Sequence, residues 1–318
     1  MARYLVTGGA GFIGSHLVDR LLASGHDVAC LDCFDDFYDR RVKERNIASA
    51  VAHPRCRFFE LDLRDAGKLA TIWGAFAPDV VVHLAARAGV RPSLENPRLY
   101  FEMNVTATLN VLECARRLGP AKVVFASSSS VYGNQQTVPF SETDPTDRPI
   151  SPYAACKKMG EQLSYTYHHA YGMSVFCLRF FSAYGPRSRP DMAVAKFTRA
   201  IDRGETITVF GDGSTARDYT YIDDIVDGVV AACDRADGFG IYNLGRSEPV
   251  LLRDLVNGIA AAVGKPAKIR TEPVQPGDVE RTYANVSLSR RDLGYNPKVS
   301  LTEGLARYVE WYRRTPQV

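Results

Sequence analysis

The 318-residue chain has almost no excess of charge: 39 Lys and Arg stand against 36 Asp and Glu, a formal +3. Its arginines are scattered, so neither nucleic acid nor an anionic membrane is expected as a main partner. It has no apolar run of the length needed to cross a bilayer. No basic-then-apolar leader precedes the first strand-like stretch, RYLVTGG, so a soluble cytoplasmic protein is the expectation. The seven cysteines are an odd number in a chain too long to need covalent staples. Cys30 and Cys33 have neither a second pair nor a histidine cluster at ligand spacing, so no metal is expected and the thiols read as reduced. Internal repeats and low-complexity tracts are missing as well. What remains is one large domain, or one domain with a smaller companion.

What is present is an alternation. Short apolar runs at 3–8, 27–32, 56–62, 79–85, 121–127 and 173–180 are separated by helical patterns at 11–25, 97–118 and 153–171. The runs are apolar without strict alternation, as strands of a parallel sheet covered on both faces are. The fold class is therefore α/β, a doubly wound parallel sheet. Past residue 181 the pattern breaks into shorter pieces rich in Pro and Gly, which reads as a smaller, irregular α/β unit. The expected division is 1–180 and 181–318, with a segment near 219–245 returning to the first part.

The stretch VTGGAGFIG follows the first strand and opens the first helix. Gly9, Gly11 and Gly14 give G-x-G-x-x-G, in which glycines allow a tight turn and a close approach of pyrophosphate to the helix N-terminus. The second strand ends at Asp32, 18 residues after Gly14, where an acid accepts from both ribose hydroxyls of an adenosine. An arginine there would favour a 2′-phosphate, so the expected cofactor is NAD. The candidate cofactor residues are Gly8, Gly9, Gly11, Phe12, Ile13, Gly14 and Asp32, with Asp62 and Leu63 of ELDLRD at the next strand end.

SPYAACKKMG places Tyr153 and Lys157 four positions apart at the start of a helix, on one face. A nearby ammonium favours the phenolate, so the pair can form a base. Serines 127 to 130 lie at the end of the strand KVVFA, where a doubly wound sheet places its chemistry. Any one of these serines alone is more simply a strand-to-loop residue.

Across essentially its full length the chain resembles the extended short-chain dehydrogenase/reductase family, in its NAD-dependent nucleotide-sugar epimerase/dehydratase branch. The UDP-glucuronate 4-epimerases are the nearest match. The resemblance is carried by TGGAGFIGSHL, HLAARAGVR, NVTATLNVLE, ASSSSVYG, SPYAACKKMGE, LRFFSAYGPRSRPDMA and ARDYTYIDDIVDG. It implies a catalytic set of Ser128, Tyr153 and Lys157, with Tyr153 and Lys157 also holding NAD. It further implies inversion at C4 of a UDP-sugar through a 4-keto intermediate, and a homodimer packed through the helices near 97–118 and 153–171. Dehydrating relatives carry Asp-Glu where this chain has Ser129-Ser130, and decarboxylating relatives carry a glutamate at the second position, so an epimerase is the simplest reading.

On the substrate side the resemblance implies Arg217 on the diphosphate, Asp278 near the uridine ribose, and Asn104, Ser129 and Ser130 near the sugar. The pattern GPRSRPDM, with Ser182 before it, resembles the glucuronate branch and points to Arg189 for a C6 carboxylate, because a planar guanidinium suits a carboxylate. Arg187 beside it reads as surface. Two alternatives stay open: a UDP-glucose/UDP-galactose 4-epimerase, possibly accepting N-acetylated sugars, and a non-catalytic protein that binds NAD and a nucleotide sugar.

Overall fold

A computed structural model describes residues 1–119, 122–273 and 281–315. The first part of the chain runs β1 (Arg3–Thr7), α1 (Phe12–Ala23), β2 (Asp27–Asp32), α2 (Arg40–Val51), β3 (Cys56–Glu60), α3 (Ala66–Phe76) and β4 (Val80–His83). There follow α4 (Val90–Glu95), α5 (Pro97–Phe101), α6 (Ala107–Leu118), β5 (Lys122–Ser128), α7 (Pro152–Tyr171) and β6 (Val175–Phe180). The remainder is β7 (Ser182–Tyr184), α8 (Ala193–Asp202), β8 (Thr206–Phe210), β9 (Ala216–Tyr221), α9 (Ile222–Arg235), β10 (Phe239–Leu244), β11 (Pro249–Leu251), α10 (Leu252–Val263), β12 (Lys268–Glu272), β13 (Arg281–Thr282), α11 (Ser287–Leu293) and α12 (Leu301–Arg314).

Seven parallel strands pair in the order β10-β6-β5-β4-β1-β2-β3. The order reverses between β1 and β4, and a crevice forms at the strand ends on either side of that switch. Helices cover both faces, which is why β1, β2 and β4 are buried almost throughout and carry no polar-apolar alternation. The late strand β10 joins this sheet beside β6, in register from Phe239 with Val175 to Leu244 with Phe180. The smaller unit is a sheet in which β9 pairs with β7, β11 and β13, plus the pair β8 and β12. One apolar core runs from Tyr4 to Tyr312 through both, so residue 180 marks a change of pattern and not a gap in packing.

Two sequence expectations change in detail. The β3 run ends at Glu60 because Asp65 caps α3, accepting from the Lys68 N–H at 3.0 Å, and residues 61–65 are used in the turn. The helix expected over 97–118 contains a π-helical turn, Glu102–Thr106, between α5 and α6. That turn aims the buried Asn104 at the strand-end loop after β4: its Oδ1 accepts from the Arg87 N–H at 2.8 Å and its Nδ2 donates to the Arg87 carbonyl at 3.0 Å. Among the described residues no helix is long and apolar enough to cross a membrane.

Candidate active site

The glycine turn after β1 is fixed by contacts that a side chain would destroy. Gly8 has φ +67°, and a Cβ there would sit 2.7 Å from the Ala85 nitrogen; one on Gly14 would collide with the Gly8 carbonyl. Gly9 is a packing residue: its N–H donates to the Leu31 carbonyl at 3.1 Å, and a Cβ there would collide with the Cys30 thiol. Gly8, Gly11, Phe12, Ile13 and Gly14 line a cavity of about 300 Å³. Asp32, Asp62 and Leu63 line it at the ends of β2 and β3, as do Ser128, Tyr153, Lys157, Ser182 and Arg189. A turn that no Cβ could enter, a helix N-terminus and an acid at the β2 end fit a dinucleotide.

The reacting end is built by α7. Ser151 caps it, accepting from the Ala154 N–H at 3.1 Å, Pro152 opens it and Gly172 closes it in the left-handed conformation. Tyr153 and Lys157 thus fall on the inward face. Its next turn places Glu161, which accepts from Ser127 Oγ at 2.6 Å and takes both Nε (2.8 Å) and Nη2 (2.9 Å) of Arg179. This buried, fully paired carboxylate ties α7 to the ends of β5 and β6. Ser128 caps the following turn, its Oγ accepting from the Ser130 N–H at 3.2 Å.

The electrostatics correct one expectation. Burial pushes the Tyr153 phenol up, and the groups that oppose this are the Ser128 hydroxyl, by hydrogen bonding, and the Arg189 guanidinium, by charge. Lys157 is turned elsewhere: its Nζ donates to the Ala126 carbonyl at 2.6 Å and lies 5.1 Å from the Phe125 ring centroid. Burial brings its pKa down to about 8. The helical spacing placed the two side chains on one face correctly, but the cation that favours the phenolate arrives from the loop after β7.

A second cavity of about 340 Å³ adjoins the first at Ser182, which lines both. Its described lining contains Arg91, Arg217, Ser129, Ser130, Ser151, Ser182 and Thr282, and no carboxylate. Arg217 reaches it because side chains alternate along β9: its neighbour Asp218 is buried and accepts from the N–H groups of Arg246 (2.7 Å), Ser247 (2.9 Å) and Ala284 (3.0 Å). Arg189 is on the first cavity and is held by Asp191 through Nε (3.0 Å) and Nη2 (2.9 Å). Arg187, at φ +62°, pairs with Asp19 at 2.7 Å and ties its loop to α1. Asn104 lines neither cavity, both ends of its amide being committed to Arg87, and so supports a positioning role in place of a sugar contact. Asp278 lies outside the described residues.

Sequence reasoning missed Lys43, a buried ammonium 3.4 Å from Asp32 on the wall of the first cavity, because nothing in its own helix marks it. Arg91 was also missed, although it is the last residue of HLAARAGVR, and that motif was its signal. No group of three or more His, Cys, Asp or Glu suited to a metal occurs among the described residues.

The chain matches the NAD dependent epimerase/dehydratase family over residues 4–245. It is 42% identical to a UDP-glucuronate 4-epimerase of Thermodesulfobacterium geofontis, over 98% of this chain and 96% of that protein. Among solved structures it is similar to the UDP-glucuronic acid 4-epimerase of Bacillus cereus in complex with UDP-glucuronic acid and NAD. That structure is 34% identical with a TM-score of 0.91, covering 98% of this chain and 99% of the other. The UDP-glucose 4-epimerase of Thermotoga maritima with UDP-glucose is similar to the same degree, 33% identical with a TM-score of 0.91 over 98% and 99%. Overall shape therefore does not separate an acidic from a neutral sugar. The chain belongs to the NAD dependent epimerase/dehydratase family, as an extended short-chain dehydrogenase/reductase whose cofactor is NAD.

Proposed function

We propose that the protein is a UDP-glucuronate 4-epimerase, inverting C4 to give UDP-galacturonate. The observation that carries this reading is the second cavity: two arginines and four serines line it, and no described lining residue is a carboxylate. A substrate bearing a diphosphate and a C6 carboxylate suits such a wall, and a carboxylate would be repelled from one carrying Asp or Glu. Serines at 129 and 130 also leave no acid-base pair for eliminating water from the sugar.

NAD, when bound, supplies the hydride acceptor and donor for C4, which makes the 4-keto sugar accessible. The chain's own residues do the rest. Tyr153 takes the proton of the 4-hydroxyl, and Ser128 holds the C4 oxygen. Lys157 holds the nicotinamide ribose, and Asp32 with Lys43 the adenosine ribose. Arg217 and Arg91 hold the diphosphate, leaving the sugar able to present either face. Ser129, Ser130 and Ser182 meet the C6 end; Arg189 would reach a carboxylate only by giving up Asp191. A homodimer in the cytoplasm accompanies this reading; the exposed apolar residues Phe101, Leu109, Met159 and Tyr165 on α5, α6 and α7 support the dimer.

The test is turnover of UDP-glucuronate, UDP-glucose and UDP-N-acetylglucosamine, with product sugars separated by chromatography. The expected result is the highest kcat/KM for UDP-glucuronate. Preference for UDP-glucose would make the enzyme a neutral-sugar epimerase.

A further inference from the structure

Residues 33–39, which join β2 to α2, supply four residues of the first cavity: Cys33, Asp35, Phe37 and Tyr38. This strap is fastened at three places. At its start the Asp32 carboxylate accepts from the Phe34 N–H at 2.8 Å and from the Ala10 N–H at 3.2 Å. At its end Asp39 caps α2, accepting from the Arg41 N–H at 2.9 Å. In the middle, Arg87 Nη1 donates to Asp35 at 2.7 Å and to Asp36 at 3.0 Å.

The middle fastening has a second component. The guanidiniums of Arg87 and Arg189 both lie over the Phe37 ring, 5.2 and 5.3 Å from its centroid. The two arginines come from different loops, one after β4 and one after β7, and both also line the cavity. Arg87 is fixed by Asn104, and Arg189 by Asp191. One ring therefore ties together three loops of the cofactor cavity, through contacts that strengthen where water is excluded.

We propose that Phe37 is a clasp: gripped by Arg87 and Arg189, it closes residues 33–39 against the cofactor cavity and sets how long NAD stays bound. The inference rests on the epimerase reading for its purpose, since a C4 inversion needs the same cofactor at the start and at the end of each turnover. Loss of the cofactor between those points strands the sugar as a ketone. Phe37 is a positioning residue in this role, and its aromatic face is the working part.

The experiment measures cofactor release with no sugar present. Wild type, Phe37→Leu and Phe37→Tyr are loaded with labelled NAD and chased with excess unlabelled NAD, and retained label is followed by rapid gel filtration. Removing the ring's face from two cations should speed release about tenfold or more in Phe37→Leu, while Phe37→Tyr stays within about twofold of wild type. Asp35→Asn, which loosens Arg87 without touching the ring, should also release faster and serves if the leucine variant does not fold. Equal release in wild type, Phe37→Leu and Asp35→Asn overturns the clasp, as does equal acceleration in the leucine and tyrosine variants. Release rates are independent of the sugar's identity, so failure here leaves the epimerase reading standing, and failure of that reading leaves the release rates unchanged.

Discussion

The Lys157 ammonium donates a 2.6 Å hydrogen bond to the carbonyl of Ala126, at the end of β5. It is buried, and burial holds its pKa at about 8 against 10.5 for a free lysine. Folding therefore disfavours its charged form: as pH falls from 10.5 toward 8 the unfolded chain takes up a proton that the folded one resists, and stability drops.

For the cofactor-free protein this gives a stability prediction. The melting temperature of Lys157→Met relative to wild type should be most favourable to the variant at or below pH 8. That relative advantage should shrink steadily toward pH 10.5, as the ammonium loses its charge in the unfolded chain too. Paired thermal melts between pH 7 and 10.5 read the difference, and a gap independent of pH would show that Lys157 is not buried as an ammonium. The same variant should lose activity if Lys157 holds the nicotinamide ribose as proposed.

Tyr153→Phe keeps the ring packed edge-on against Tyr100, at 6.4 Å between centroids, and deletes the only phenol in the reacting set. Its kcat should fall by about 100-fold or more, the scale of a positioned acid-base group. KM for the UDP-sugar should hold within a few-fold, since in the proposed reading the diphosphate is held by Arg217 and Arg91 in the other cavity. Steady-state kinetics on the favoured substrate separates the two parameters; near-normal kcat would remove Tyr153 from the chemistry.

Arg189→Ala tests which partner that guanidinium serves. It opposes the burial that raises the Tyr153 phenol, so its removal should raise the phenol further and carry the rising alkaline limb of kcat to higher pH. At a fixed pH below that limb kcat should therefore fall, whichever UDP-sugar is supplied. Profiles of kcat from pH 6.5 to 10 on UDP-glucuronate and UDP-glucose decide the matter. An unmoved profile, with loss confined to KM for UDP-glucuronate, would assign Arg189 to the sugar's carboxylate.

Whatever is local in the chain was legible in its residues alone. Uninterrupted apolar strands can only be buried on both faces, so RYLVT, DVACLD and VVVH specify an inner parallel sheet. Gly8 and Gly14 specify a turn that no Cβ could occupy, and the four-residue spacing of Tyr153 and Lys157 specifies a shared helix face. Which groups meet is a matter of packing. Arg189 stands near Tyr153, 36 positions away in the sequence, and both arginines over Phe37 belong to other loops. Lys43 meets Asp32 only because α2 folds back against α1 and β3. Asn104 is spent on Arg87 because a π-helical turn rotates it there, a departure that the 97–118 pattern does not announce. Periodicity fixes the face on which a side chain lies, because it follows from the backbone's own geometry. The partner it finds on that face depends on how distant loops pack, and that is settled only when the whole core closes.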